Sequence, residues 1–189
     1  MMTLKEKYSY FYLVIIAAVS WSLVKLTGLE EANRVPVPPH SPDYFSKGYV
    51  KWEMNDLGLL KSKLTADEMI HYSDDGTTHT LNPLMVFQNS KTPPWIIKSE
   101  TGILSADGKD LLLSGKVSID RSGADGVREL KINTSNLKVK PETSHAETDQ
   151  WAELISLPNR TTGTGMKLVF VEPIYLKLLK GVKGKYEKN

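Results

Sequence analysis

Four histidines, His40, His71, His79 and His145, are the side chains best suited to ligate a metal or move protons near neutral pH. Their spacing forms no HExxH pair and no other compact ligand pattern, so metal binding is not expected of them. The chain has no cysteine, which excludes disulfides, thiolate metal centres and cysteine nucleophiles. It has no GxSxG elbow and no Walker-type loop. Thr162-Gly163-Thr164-Gly165 is glycine-rich, but no lysine–hydroxyl pair follows it, and a bend or bulge is its expected use. Carboxylates stand side by side at Asp74-Asp75 and at Glu30-Glu31. On a strand such neighbours point to opposite faces, so Asp74 and Asp75 are poorly placed for paired acid–base work, and a solvated turn accounts for them. Trp52 and Trp95 either line a ligand groove or fill a core. The sequence therefore predicts no enzyme: no catalytic residue, no metal and no cofactor. What remains is a surface or a cavity.

The elements that must build such a cavity come from 189 residues with a net charge of +2, a balance that gives no pull toward nucleic acid. Residues 8–26 read YSYFYLVIIAAVSWSLVKL, close to the roughly 20 apolar residues that span hydrocarbon as a helix. Tyr8, Tyr10 and Tyr12 stand near one boundary and Trp21 near the other, as an aromatic belt would place them. Lys5 and Lys7 leave residues 1–7 as a cytoplasmic tail. The alternative is a cleaved secretory signal ending at Ala18-Val19-Ser20. Both export the remainder of the chain. Residues 27–48 are polar and carry Pro36, Pro38, Pro39 and Pro42, which suits a semi-extended linker. Residues 49–189 are then one domain.

Within that domain apolar residues recur at every second position, between turn signals. Leu111, Leu113, Gly115, Val117 and Ile119 alternate with polar Ser114, Lys116, Ser118 and Asp120. Short strands are expected at Trp95 to Lys98, at Gly102 to Ser105, at Leu130 to Thr134, at Leu137 to Val139 and at Met166 to Phe170. Asp75-Gly76, Asp107-Gly108 and Asp125-Gly126 supply turns that tolerate positive φ. Residues 148–157 fit either a strand or a short helix. The lysine-rich end, from Ile174 to Tyr186, reads as an edge strand or a frayed tail. No long helical stripe appears, which argues for an all-β sandwich, jelly roll or open sheet stack.

The stretch Pro93-Pro94-Trp95-Ile96-Ile97-Lys98-Ser99-Glu100, continuing through ILSADGKDLLLSGKVSI to Ile119, resembles the central strands of the LptC family. Ile70-His71-Tyr72-Ser73-Asp74, then Asn82-Pro83 with Phe87, then Leu137 to Thr143 and Gly165-Met166-Lys167, follow in the family's order, as does the close from Val182 to Glu187. The likeness implies a twisted, open β-jellyroll of antiparallel strands, preceded by one N-terminal transmembrane helix. It also implies a single-pass protein of the cell inner membrane with its bulk in the periplasm, taking part in lipopolysaccharide transport. The implied partners are lipopolysaccharide, the LptB/LptF/LptG ABC transporter, and LptA as the acceptor. With that function, the expected lipid groove is lined by Phe87, Ile97, Leu113, Val117, Ile119, Leu130, Ile132, Met166 and Phe170. A closed core made by the same residues is the alternative that periodicity leaves open. The expected LptA-binding edge comprises Ile174, Leu176, Leu178, Val182 and Tyr186. Two other functions stay open: a soluble LptA-like bridge released by signal cleavage, and a tethered structural β-module without ligand.

Overall fold

The computed structural model describes residues 4–26 and 40–186. The chain divides into two compact units, Met1–Pro39 and His40–Asn189. In the first, α1 runs from Leu4 to Leu26, beginning ahead of the expected residue 8. Its apolar side chains, Phe11, Ile16 and Trp21 among them, are exposed. Among the described residues no helix is long and apolar enough to cross a membrane, so the helix is found where expected but a transmembrane span is not shown. Of the expected 27–48 linker, residues 27–39 lie outside the described residues. The far end of that range is corrected: Pro42 to Gly48 already belong to the first strand. A proline is tolerated there because it opens an edge strand, where its missing N–H breaks no central ladder.

The second unit is a single antiparallel sheet of ten strands. They are β1 (Pro42–Met54), β2 (Leu60–Tyr72), β3 (Thr78–Leu81), β4 (Leu84–Phe87), β5 (Trp95–Leu104), β6 (Leu111–Arg121), β7 (Leu130–Lys140), β8 (His145–Ser156), β9 (Asn159–Val169) and β10 (Tyr175–Lys185). Each strand pairs with its predecessor, except that β3 and β4 share one lane between β2 and β5. The order begins at β1 and ends at β10, so the sheet is open with an edge at each end. Residues 148–157, ambiguous in sequence, are almost wholly strand β8.

A sheet this wide has no helix to cover its apolar side, so it covers that side by folding over. The ladder skips register between Ser99 and Thr101, between Leu113 and Lys116, between Asn133 and Lys138, between Thr148 and Trp151, and between Lys180 and Lys183. Mapped through the pairing, these skips fall on one line across the sheet, and the Asn82-Pro83 break between β3 and β4 lies on the same line. Bulges bend the strands they occupy, and a row of them makes a crease. At the crease the buried parity changes in β5 and β7. In β7, Ile132 and Thr134 point inward before it, whereas Leu137 and Val139 do so after it. In β5 the switch is from Trp95 and Ile97 to Gly102 and Leu104. The segments expected as two short strands on either side are therefore single strands, folded in the middle.

Positive φ marks the fold line at Asn82 (49°), Gly115 (80°) and Asn136 (48°). Asn136 also accepts a hydrogen bond through Oδ1 from the Gly115 amide, at 3.3 Å. Side-chain hydroxyls replace ladder bonds lost at the bend. Thr134 Oγ1 donates to the Trp151 carbonyl and Thr148 Oγ1 to that of Ser135, each at 2.9 Å. The two halves then face each other over one apolar core that contains Leu64, Trp95, Leu113, Ile119, Ile132, Val139 and Leu168.

Replacing Asn136 with glycine, which accepts this backbone, is expected to leave stability within about 0.5 kcal/mol. Valine at the same site should cost about 1–3 kcal/mol, because a β-branched residue is strained at positive φ. Urea unfolding of the two variants makes the comparison, and equal losses would remove Asn136 from the crease.

Candidate functional site

The residues expected to line a groove are brought together. Phe87, Ile97, Leu113, Val117, Ile119, Ile132, Met166 and Phe170 are each 2% exposed or less. Leu130 is half-buried and packs against them. They belong to one cluster that runs across the sheet, with Tyr49 of β1 packing at one margin and Leu176 and Leu178 of β10 at the other. Burial pushes the Tyr49 phenol above its ordinary pKa, consistent with a ring turned toward the interior. Side chains fill this interior, so an acyl chain can enter only if the two halves part.

One end of the interior is closed by aromatic rings. Phe87 stacks on Phe170 with centroids 4.5 Å apart and planes 10° from parallel, and Trp95 meets Phe170 edge-on at 5.7 Å. The Arg121 guanidinium lies over the Trp95 ring at 4.6 Å, a cation–π contact. The Phe170 amide donates to the Ser144 carbonyl at 2.9 Å, which ties the turn between β7 and β8 to the segment after β9.

The β1 side of the interior is closed by polar groups. Val50, Trp52 and Met54 are exposed, while Lys51 and Glu53 alternate with them and face inward. Lys51, Glu53, Ser62, Leu64, Met85, Leu104 and Pro141 line a narrow cleft between the two halves. Glu53 holds Lys61 Nζ at 3.0 Å and accepts from Ser62 Oγ at 3.1 Å. Lys61 Nζ also donates across the seam to the Glu142 carbonyl. Lys51 Nζ lies beside Gly108, 3.4 Å from where a Cβ would stand. None of these polar residues was expected as part of a site.

Of the expected partner-binding residues, Ile174, Leu176 and Leu178 are half-buried against the core, whereas Val182 and Tyr186 are 55% and 70% exposed. Four of the five lie on β10 or flank it at the free edge, where β9 is its only neighbour among the described residues, and Tyr186 follows its last residue. The Tyr186 ring folds back over Gly184, where any Cβ would strike it. The opposite edge, β1 and its turn, exposes Phe45, Trp52, Met54, Leu57 and Leu59.

No compact ligand spacing was expected of the histidines, yet His40 and His79 both pack against Tyr72, and His71 neighbours Tyr72 on the same strand. His40 stacks on Tyr72 at 4.1 Å, with His79 6.1 Å from it, and His71 stacks on Tyr44 at 4.5 Å. His71 Nδ1 lies 2.7 Å from Asp43 Oδ1, and that hydrogen bond holds the Asp43 carboxyl below its usual range. Asp74 and Asp75 occupy a turn, as expected. Both therefore reach His40 Nδ1, at 3.3 and 4.0 Å, instead of pointing apart. Their ligand atoms lie within 4.8 Å of one another, a grouping that could hold a cation where none was expected. All three residues are exposed.

The family model described as "Lipopolysaccharide-assembly, LptC-related" matches residues 11–187. Curated relatives include the "Lipopolysaccharide export system protein LptC" of Escherichia coli (strain K12), 23% identical over 159 residues, covering 81% of this chain and 82% of that one. The protein of the same name from Shigella flexneri matches to the same extent. Among solved structures, LptH of Pseudomonas aeruginosa superposes with a TM-score of 0.52 at 10% identity, covering 67% of this chain and 95% of that one. It is described as the LptA-homologous periplasmic component of a lipopolysaccharide transport device. At that identity the likeness is one of fold.

Truncating Ile132 to alanine is expected to destabilise the domain by about 2–5 kcal/mol, the cost of emptying a filled site. Urea unfolding measures it, and a loss under about 1 kcal/mol would mean that the interior is looser than its burial indicates.

Proposed function

The chain belongs to the LptC-related lipopolysaccharide-assembly family, and on that premise we propose that it is a membrane-attached periplasmic bridge for lipopolysaccharide. It receives the lipid from an inner-membrane ABC transporter of the LptB/LptF/LptG kind and hands it to an LptA-type acceptor. What carries the proposal is one apolar face that crosses an open sheet from β2 to β10, with Tyr49 of β1 at its margin. Exposing an acyl chain to water costs about 0.8 kcal/mol per methylene, or on the order of 10 kcal/mol per long chain. A sandwich that parts along its seam shelters the chains and leaves the sugars outside. Phe87, Ile97, Leu113, Val117, Ile119, Leu130, Ile132, Met166 and Phe170 would form that shelter. The protein performs no chemistry, and the transporter's ATP hydrolysis supplies the work.

In this proposal α1 attaches the domain to the inner membrane. Support comes from apolar side chains exposed on all its faces and from a family match that begins inside it, at residue 11. β10 meets the acceptor, since an edge strand offers unpaired main-chain groups to a partner's strand. The filled interior favours one competing function, a tethered β-scaffold that holds partners together and carries no lipid.

Photoreactive side chains placed at Ile119 or Phe170 are expected to form lipopolysaccharide adducts during active transport. A complete lack of adducts at both positions would leave only the scaffold. Deleting residues 174–189 is expected to abolish association with the LptA-type acceptor in pull-down; undiminished association would remove β10 from that interface.

A further inference from the structure

The seam beside β1 is built against the rule that a sandwich turns apolar residues inward. Lys51 and Glu53 hold inward positions that the register of β1 would otherwise give to core residues. Both ammonium groups at this seam lie toward the opposite half, and one of them bonds to its backbone. Lys61 Nζ reaches the Glu142 carbonyl, and Lys51 Nζ lies against the turn at Gly108. Glu53 neutralises Lys61, and among the described residues Lys51 has no carboxylate partner, so the cleft keeps an uncompensated positive charge. Directly beneath it lie Leu64, Met85 and Leu104, where the apolar interior begins. Inward charge on an edge strand also guards against stray strand pairing. That use requires charge alone and gives no reason for Lys61 to bond across the seam or for Lys51 to lie against the turn opposite.

We propose that Lys51 and Lys61 bind a phosphate monoester on the sugar headgroup of the lipid, whose acyl chains enter between the halves at this seam. The proposal rests on the carrier function and adds to it the side of entry and the group recognised. A phosphate offers charged acceptors where Glu142 offers a neutral carbonyl, and hydrogen bonds between ions are roughly twice as strong as neutral ones. When Lys61 exchanges one for the other, the contact between halves is lost. Headgroup capture and opening of the seam are then the same event. Glu53 acts as a positioning residue that keeps Lys61 at the rim.

The test uses the full chain in detergent with two probes, a diphosphorylated lipid A and the same lipid after removal of its phosphates. Wild-type protein is expected to favour the phosphorylated form on the order of tenfold, as one or two charge-assisted hydrogen bonds would give. The K51M/K61M variant, which keeps the aliphatic stems, is expected to lose that preference while binding the dephosphorylated lipid as before. Equal wild-type affinities would overturn the proposal, and need no variant to fold. So would a variant that retains the preference. Displacement of the phosphorylated lipid by an equal concentration of inorganic phosphate would assign the lysines to free phosphate and overturn it too. If wild-type protein bound neither lipid, the carrier function itself would fall, and the inference with it.

Discussion

A lone sheet has two faces, and water tolerates apolar side chains on neither. Every other feature of this domain follows from how that constraint is met. Ten strands make one layer, so the covering for each half is the other half. That requires a bend in the same place in nearly every strand, and an apolar pattern that changes parity at the bend or is carried through it by a glycine, as in β6. Gly115, Asn136 and the Asn82-Pro83 break meet the first requirement. The switch from Ile132 to Leu137 meets the second. The hydroxyls of Thr134 and Thr148 keep the interrupted ladder satisfied.

The two closures of the interior are chemically unlike. Stacked rings of Phe87, Phe170 and Trp95 close one, a contact that water strengthens by exclusion. Lys61, which reaches for the Glu142 carbonyl while paired with Glu53, closes the other. Polar closures compete with solvent and with ions, and apolar ones do not. The weaker side of the sandwich is therefore the side of β1.

The sequence made the strands legible wherever the period of two ran unbroken. Leu111 to Ile119 is the clearest instance because Gly115 takes up the bend without disturbing the odd-numbered pattern. In β5 and β7 the parity flips at Glu100 and Asn136, so each read as two strands. Local pattern carries no trace of a fold line, since it is defined only by neighbours in the sheet. The apolar members of the site were equally legible, because burial and periodicity select the same residues. Whether they meet as core or as groove was not, and the polar seam was invisible. Lys61 and Glu142 are 81 residues apart in sequence, and no property of either announces the other. The histidine corner stayed hidden for the same reason, having been assembled from β1, β2, β3 and the turn that joins the last two.

The strand order has a kinetic side. Apart from the shared lane of β3 and β4, each strand hydrogen-bonds to the one made just before it. A chain that emerges gradually, amino terminus first, would never expose a strand that must wait for a distant mate. Hairpins could zip up in the order of their appearance, each closing a short loop at small entropic expense. Only the collapse about the crease needs the whole sheet. Assembly would thus separate into a sequential stage with little risk of mispairing and one late, cooperative step that expels water from the interior.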